Sequence, residues 1–264
     1  MPHMMKSYFT TELRDCFTRS ELWLYMAWLD IKLRYRRTKL GPLWMVLFTF
    51  VTTICTATLA SVLFKMNWGD FFPYVCCGMI VWAYVAGLIT DSCNTFLAQS
   101  PLIKNTNVPL LNFGLRMFVK NTIVFFHSLV IAACVILYFD VPITLNLLLL
   151  FPALFLFFIT SVSLSVILGF LCTRYRDILQ LIQSTLGLLV FVTPIMWKAE
   201  MLGSRAYLMN FNPLTHFVIL IREPLLGNTP SVLNYTVAAG FSGFLLLITY
   251  FFYNKYRKRL VHWL

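Results

Sequence analysis

Residues 43–64, LWMVLFTFVTTICTATLASVLF, hold not one charged side chain, and the stretch before them crowds Lys32, Arg34, Arg36, Arg37 and Lys39 into KLRYRRTK. A helix rises about 1.5 Å per residue, so about 20 apolar residues in a row suffice to cross a hydrocarbon layer about 30 Å thick. The pattern recurs along the chain. Apolar runs at about Leu43–Phe64, Phe71–Phe96, Asn121–Phe139, Leu145–Cys172, Ile178–Trp197 and Val232–Tyr253 predict an all-α membrane protein with six transmembrane helices. Composition agrees: 59% of residues are hydrophobic and 12% charged, at a mean hydropathy of +0.77. A soluble fold of 264 residues has too much surface for its volume to hide that many apolar side chains.

The net charge of +11 gathers in short clusters at the ends of the apolar runs, a pattern of membrane topology and not of a nucleic-acid-binding face. With the chain starting inside, all but four of its 21 Lys and Arg fall on the cytoplasmic side, the exceptions being Lys65, Lys198, Arg205 and Arg222. The positive-inside rule therefore predicts both termini in the cytoplasm. The N-terminal stretch MPHMMKSYFTTELRDC lacks the apolar core of a cleavable signal, which agrees with that placement. The expected division is a cytoplasmic segment 1–41, a membrane domain 42–254 and a cytoplasmic tail 255–264.

Two connections carry more than a turn. Thr18 and Glu21 have the spacing of a capping box, and Leu22, Met26, Leu29 and Leu33 follow on one helical face, with Trp23, Tyr25 and Trp28 beside them. This predicts an amphipathic helix on the inner membrane surface, ended by Gly41, with Pro42 opening the first span. Residues 198–230 lie on the outer side. Their apolar run Phe217–Ile221 is too short to span, and Asn212-Pro213 and Pro224 are expected to break the segment into two short re-entrant or interfacial helices.

No catalytic signature is present: GxxxxGK[ST], HExxH and GxSxG are all absent. The seven cysteines include no CxxC, and the four histidines have no metal-ligand spacing. Asp91 is the acid placed within a span, near its cytoplasmic end, whereas an ion-coupled carrier would hold several such groups in pairs. Nor do the spans divide into two repeats. Arg34, Arg36, Arg37 and Lys39 set topology and attract anionic lipid; the forked guanidinium also suits the phosphate of a lipid-linked substrate.

Four motifs in order, WLDIKLRYRRTKLGPLW, PLIKNTNVPL, CTRYRDI and NPLTHFVILIREPLLG, resemble permease subunits of ATP-binding-cassette exporters for cell-surface polysaccharides. The resemblance spans nearly the whole chain and implies export of a lipid-linked polysaccharide, O-antigen first, across a bacterial inner membrane. The alternatives are capsular polysaccharide, teichoic acid or another amphiphile, and, from a different class, a membrane-embedded glycosyl- or phosphotransferase. It further implies a homodimer, two copies of an ATPase subunit that binds the ATP and Mg, a polyprenyl-linked cargo, and no cofactor held by this chain. A coupling helix is expected within Gln99–Leu110, with Pro101, Lys104, Asn105 and Pro109 at the ATPase contact, and a second contact at Arg174, Tyr175, Arg176 and Asp177. Trp44, Tyr74, Trp82 and Tyr84 are the candidate rings of a sugar path.

Overall fold

A computed structural model describes residues 8–36 and 43–264. Its α-helices are α1 (Tyr8–Thr18), α2 (Ser20–Tyr35), α3 (Leu43–Phe64), α4 (Trp68–Asn94), α5 (Ser100–Asn105), α6 (Leu111–Tyr138), α7 (Leu150–Arg174), α8 (Asp177–Val192), α9 (Pro213–Leu225), α10 (Val232–Tyr256) and α11 (Leu260–Trp263). Tighter 3-10 turns occupy 97–99, 145–149, 199–211 and 257–259, and no strand occurs among the described residues.

Among the described residues five helices are long and apolar enough to cross a membrane: α3, α4, α6, α7 with the turn before it, and α10 with the tail after it. The run expected as the fifth of six spans is α8, which has only 16 residues. It stops at Val192 because Pro194 disfavours a helical conformation at the residue before it, and Thr193 is extended, with φ −88° and ψ 137°. The helix expected to run to Trp197 is thereby cut short. In the opposite sense, α6 begins at Leu111 and not near Asn121, which draws Arg116 and Lys120 out of the expected loop and into the helix. Each then meets a carboxylate: Arg116 pairs with Asp30 of α2, and Lys120 lies 2.7 Å from Asp91 of α4.

The N-terminal segment corrects two expectations. Thr18 ends α1 and donates its hydroxyl to the Arg14 carbonyl at 2.9 Å, so it does not cap α2, and Arg19 in the cap position makes no side-chain cap bond. The buried residues of α2 are Ala27 and Ile31, whereas Leu22 and Leu33 are exposed. The helix is apolar around most of its circumference, so its register is chosen by the small Ala27 and by the Asp30–Arg116 pair. Leucine spacing does not choose it. The Gly41-Pro42 turn lies outside the described residues.

Two apolar cores hold the bundle. The larger surrounds α4, with Phe71, Val75, Ile80, Val81 and Val85 closed off by α3, α6, α7 and α9. The smaller lies at the basic end and joins Phe9 and Cys16 of α1 to Phe96, Ile103, Phe113, Phe170, Tyr253 and Leu260. Residues 255–264, expected as a cytoplasmic tail, pack onto this core through Leu260, which is fully buried. Between α7 and α10, Thr160 and Ser242 share a hydrogen bond of 2.7 Å, and Thr249 donates to the Ser163 carbonyl at 3.2 Å. Small polar side chains of this kind hold apolar helices together where packing against lipid supplies no preference.

Residues 199–225 form short helical pieces broken at Gly203, with φ +52° and ψ −123°, and at Asn212, whose side chain accepts from the Leu214 N–H at 3.0 Å, with Pro213 in the first turn of α9. Pro224 makes no break; it sits in the last turn, and α9 ends one residue on. Gly227, at φ +82°, receives the chain there, and a Cβ at this position would come within 2.6 Å of the Pro142 carbonyl oxygen.

Candidate functional site

Two ends of the bundle carry the polar groups. At the basic end, α5 is a short helix with Pro101 in its first turn. Ile103 is buried in the smaller core, while Pro101, Lys104 and Asn105 are exposed. Pro109 is half-buried, and the chain re-enters the helical bundle at the buried Leu110. One apolar anchor therefore holds a polar ridge to the surface. The turn between α7 and α8 lies at the same end. Arg174, Tyr175, Arg176 and Asp177 are all exposed, and the Arg174 guanidinium lies 5.7 Å from the ring centres of both Tyr175 and Trp263. A cavity of about 310 Å³ opens beside it, lined by Tyr175, Tyr256, Arg259 and Trp263. The structure thus exposes all the residues expected to meet an ATPase save Pro109, on two short segments.

Of the basic patch, Arg34 and Arg36 are exposed at the end of α2, and Arg37 and Lys39 lie outside the described residues. Nearby, Asp30, Asp91, Arg116 and Lys120 line a small cavity of about 110 Å³, where Asn121 also donates to Asp91 at 2.8 Å. Sequence reading found Asp91 but not its partners, because Lys120 and Asn121 are brought to it by the packing of α6 on α4.

The four rings expected along a sugar path do not come together. Trp44 is exposed on α3, at 63% of its surface. Trp82 and Tyr84 are buried. The Tyr84 hydroxyl shares a 2.8 Å bond with Thr122, and its ring packs against Phe125 and Phe157 at 4.5 and 5.3 Å. At 4% exposure and packed against these two rings, Tyr84 lies in the core of the chain. Tyr74 lies at the opposite end. Its hydroxyl donates to the carbonyls of Pro194 and Trp197 at 3.3 and 3.2 Å, and the Arg222 guanidinium lies 4.0 Å from its ring centre.

Arg222 was unmarked in sequence except as a charge inside ILIREPL. It is 3% exposed, donates to the Pro194 carbonyl at 2.6 Å, and pairs with Glu223 at 3.2 Å. It underlies a cavity of about 650 Å³ bordered by Asp70, Asp140, Lys198, Glu200 and Glu223. His216 of α9 is also buried, between the Asn234 side-chain oxygen at 2.8 Å and the Asn210 carbonyl at 3.1 Å. Among the described residues no group of three His, Cys, Asp or Glu side chains is placed to hold a metal ion.

One residue had no signal in the sequence. Glu12 of α1, 6% exposed, accepts hydrogen bonds from the Leu110 N–H at 2.8 Å, the Tyr253 hydroxyl and the Arg257 guanidinium. It joins α1, the start of α6 and the end of α10. One turn on, burial pushes the Cys16 thiol up to about 12, with the carboxylates of Glu12 and Asp15 adding to the effect.

Residues 21–226 match the ABC-2 type transporter family. Over 235 residues the chain is 21% identical to the O-antigen export system permease protein RfbA of Klebsiella pneumoniae, covering 87% of this chain and 90% of that protein. A protein of the same name from Myxococcus xanthus is 21% identical over 206 residues, covering 76% of this chain and 79% of its own. The family match runs from the first turn of α2 to the end of α9, and so takes in α3, α4, α6, α7 and α8 together with both exposed segments of the basic end. This chain belongs to the ABC-2 type transporter family.

Proposed function

We propose that the chain is the membrane-spanning permease of an ATP-driven exporter that carries lipid-linked polysaccharide, O-antigen first, outward across the bacterial inner membrane. The observation that carries this reading is similarity to O-antigen permeases over 87% of this chain and 90% of theirs, which includes both exposed basic segments. In this reading two copies of the chain pair, and two ATPase subunits, which bind the ATP and Mg, dock on α5 and on the Arg174–Asp177 turn at the cytoplasmic face. The basic end faces the cytoplasm, with both termini. Six crossings follow if α8 is one of them: at about 1.5 Å per residue it spans about 24 Å, and the extended residues after it cover the remainder. Its apolar composition and its position between the two polar ends support that path. Residues 199–225 then lie at the outer end, and α9 dips back, with Arg222 and His216 held by protein groups as polar side chains at such depth require. Arg34, Arg36, Arg37 and Lys39 receive the phosphorylated head of the cargo at the inner leaflet.

The test is deletion of the gene in its host with plasmid complementation. Surface polysaccharide should be lost while the lipid-linked polymer accumulates inside the inner membrane, and chemical analysis of that polymer identifies the cargo. Unchanged surface polysaccharide in the deletion strain would rule the reading out.

A further inference from the structure

Glu12 is buried where three distant parts of the chain meet. Its donors lie 98, 241 and 245 residues away: the amide of Leu110, the hydroxyl of Tyr253 and the guanidinium of Arg257. The Leu110 amide belongs to a residue 6% exposed, which follows Pro109 and precedes the first turn of α6, so water cannot easily replace the carboxylate. Around this contact α1 is tied to α10 again. The Phe9 N–H donates to the Asn254 side-chain oxygen at 3.1 Å, the Phe9 ring meets Tyr250 and Tyr253 edge-on, and Arg257 lies 5.2 Å from the Tyr8 ring centre. A buried ion pair is seldom the most stable way to fill a core, since apolar side chains of equal volume usually serve as well. What the carboxylate adds is a specific register between segments that apolar packing alone leaves free to slide.

We propose that Glu12 is a positioning residue for transport, clasping α1, the Pro109–Leu110 turn and the end of α10 so that a displacement of α5 reaches α10 as one movement. The segment that Glu12 holds is the one directly following α5, and both sit in the smaller core with Ile103, Leu110, Tyr253 and Leu260. From Tyr253 the link continues up α10 to α7 through Thr249 and Ser163. Glu12, Tyr253 and Arg257 all lie outside residues 21–226, so the clasp adds to the part of the chain that matches the family. The transport role rests on the reading that α5 receives the ATPase.

The test compares Glu12→Gln, Tyr253→Phe and the wild-type chain, each expressed with the partner ATPase and each also prepared with Cys16 as the sole cysteine. Glu12→Gln keeps the shape and one acceptor for Leu110 but loses the charge facing Arg257. It should retain protein level, ATPase co-purification and ATP turnover within about twofold, while export falls about tenfold, the order expected when a charge-assisted hydrogen bond to a buried carboxylate is lost. Maleimide labelling of Cys16, which is fully buried, should accelerate by about tenfold as α1 opens. Tyr253→Phe keeps the ring in place and should fall between the two.

Wild-type export with Cys16 still protected in Glu12→Gln overturns the proposal. So does a loss of export that merely follows an equal loss of folded protein in both variants, since that is a stability effect. The coupling reading is judged separately by Lys104→Glu: if this substitution leaves ATPase co-purification intact, α5 is not the docking helix. The export and Cys16 measurements still judge the clasp in that case.

Discussion

Asp91 and Lys120 meet at 2.7 Å, with their side chains 27% and 20% exposed, and Asn121 completes the contact. At the level of the single residue this pair shows what an apolar helix demands of a charge: a partner close by on a neighbouring helix. Asp91→Asn should leave Lys120 charged with a neutral partner and lower stability in detergent by roughly 1–2 kcal/mol, the range for a partly shielded charge-assisted bond. Adding Lys120→Met should recover most of the loss, since the pair is then absent as a whole, and a double-mutant cycle on melting temperatures measures the coupling. Additive effects of the two substitutions would show that the contact is not formed. Asp91 itself was legible in the sequence as the acid within a span. Lys120 was not, because a lysine at the end of an apolar run reads as loop until α6 is seen to start at Leu111.

At the scale of elements, α5 and the α7–α8 turn are short segments between long helices, and both are exposed at the basic end. Their existence was legible. Pro101 and Pro109 bracket a segment too polar to span, and Arg174–Asp177 punctuates two apolar runs. Reversing both Arg174→Glu and Arg176→Glu should cut ATPase co-purification about tenfold or more, as like charges brought together across an interface do, and export should fall with it. Insertion should survive, because the other basic clusters still orient the chain. Unchanged co-purification and export in the double reversal would remove the turn from the docking surface. The face of α2 was not legible. Its apolar residues lie on most sides, so leucine spacing pointed to Leu22 and Leu33, and the helix instead buries Ala27 and Ile31 where α6 offers Arg116 to Asp30.

For the molecule as a whole, the arrangement into a basic end and a mixed-charge end predicts an accessibility pattern. A lone cysteine at Arg205, in the segment after α8, should react with a membrane-impermeant maleimide from the outer face of the inner membrane, and one at Lys258 only after the membrane is opened. The reverse pattern, with Lys258 labelled from outside and Arg205 protected, would mean that α8 does not cross, because α10 keeps the two positions on opposite faces either way. The hydropathy pattern by itself determined that the chain is helical, that it lives in lipid and that positive charge gathers at the ends of its apolar runs. These follow from local physics: a helix satisfies its own backbone bonds, so length and composition suffice to mark it. Tertiary structure alone decided that Tyr74 and Arg222 meet at the Pro194 carbonyl, that Tyr84 is core, and that Glu12 clasps Leu110, Tyr253 and Arg257. Those outcomes depend on side chains up to 245 residues apart meeting in a packed interior, and no periodicity along the chain encodes which ones will meet.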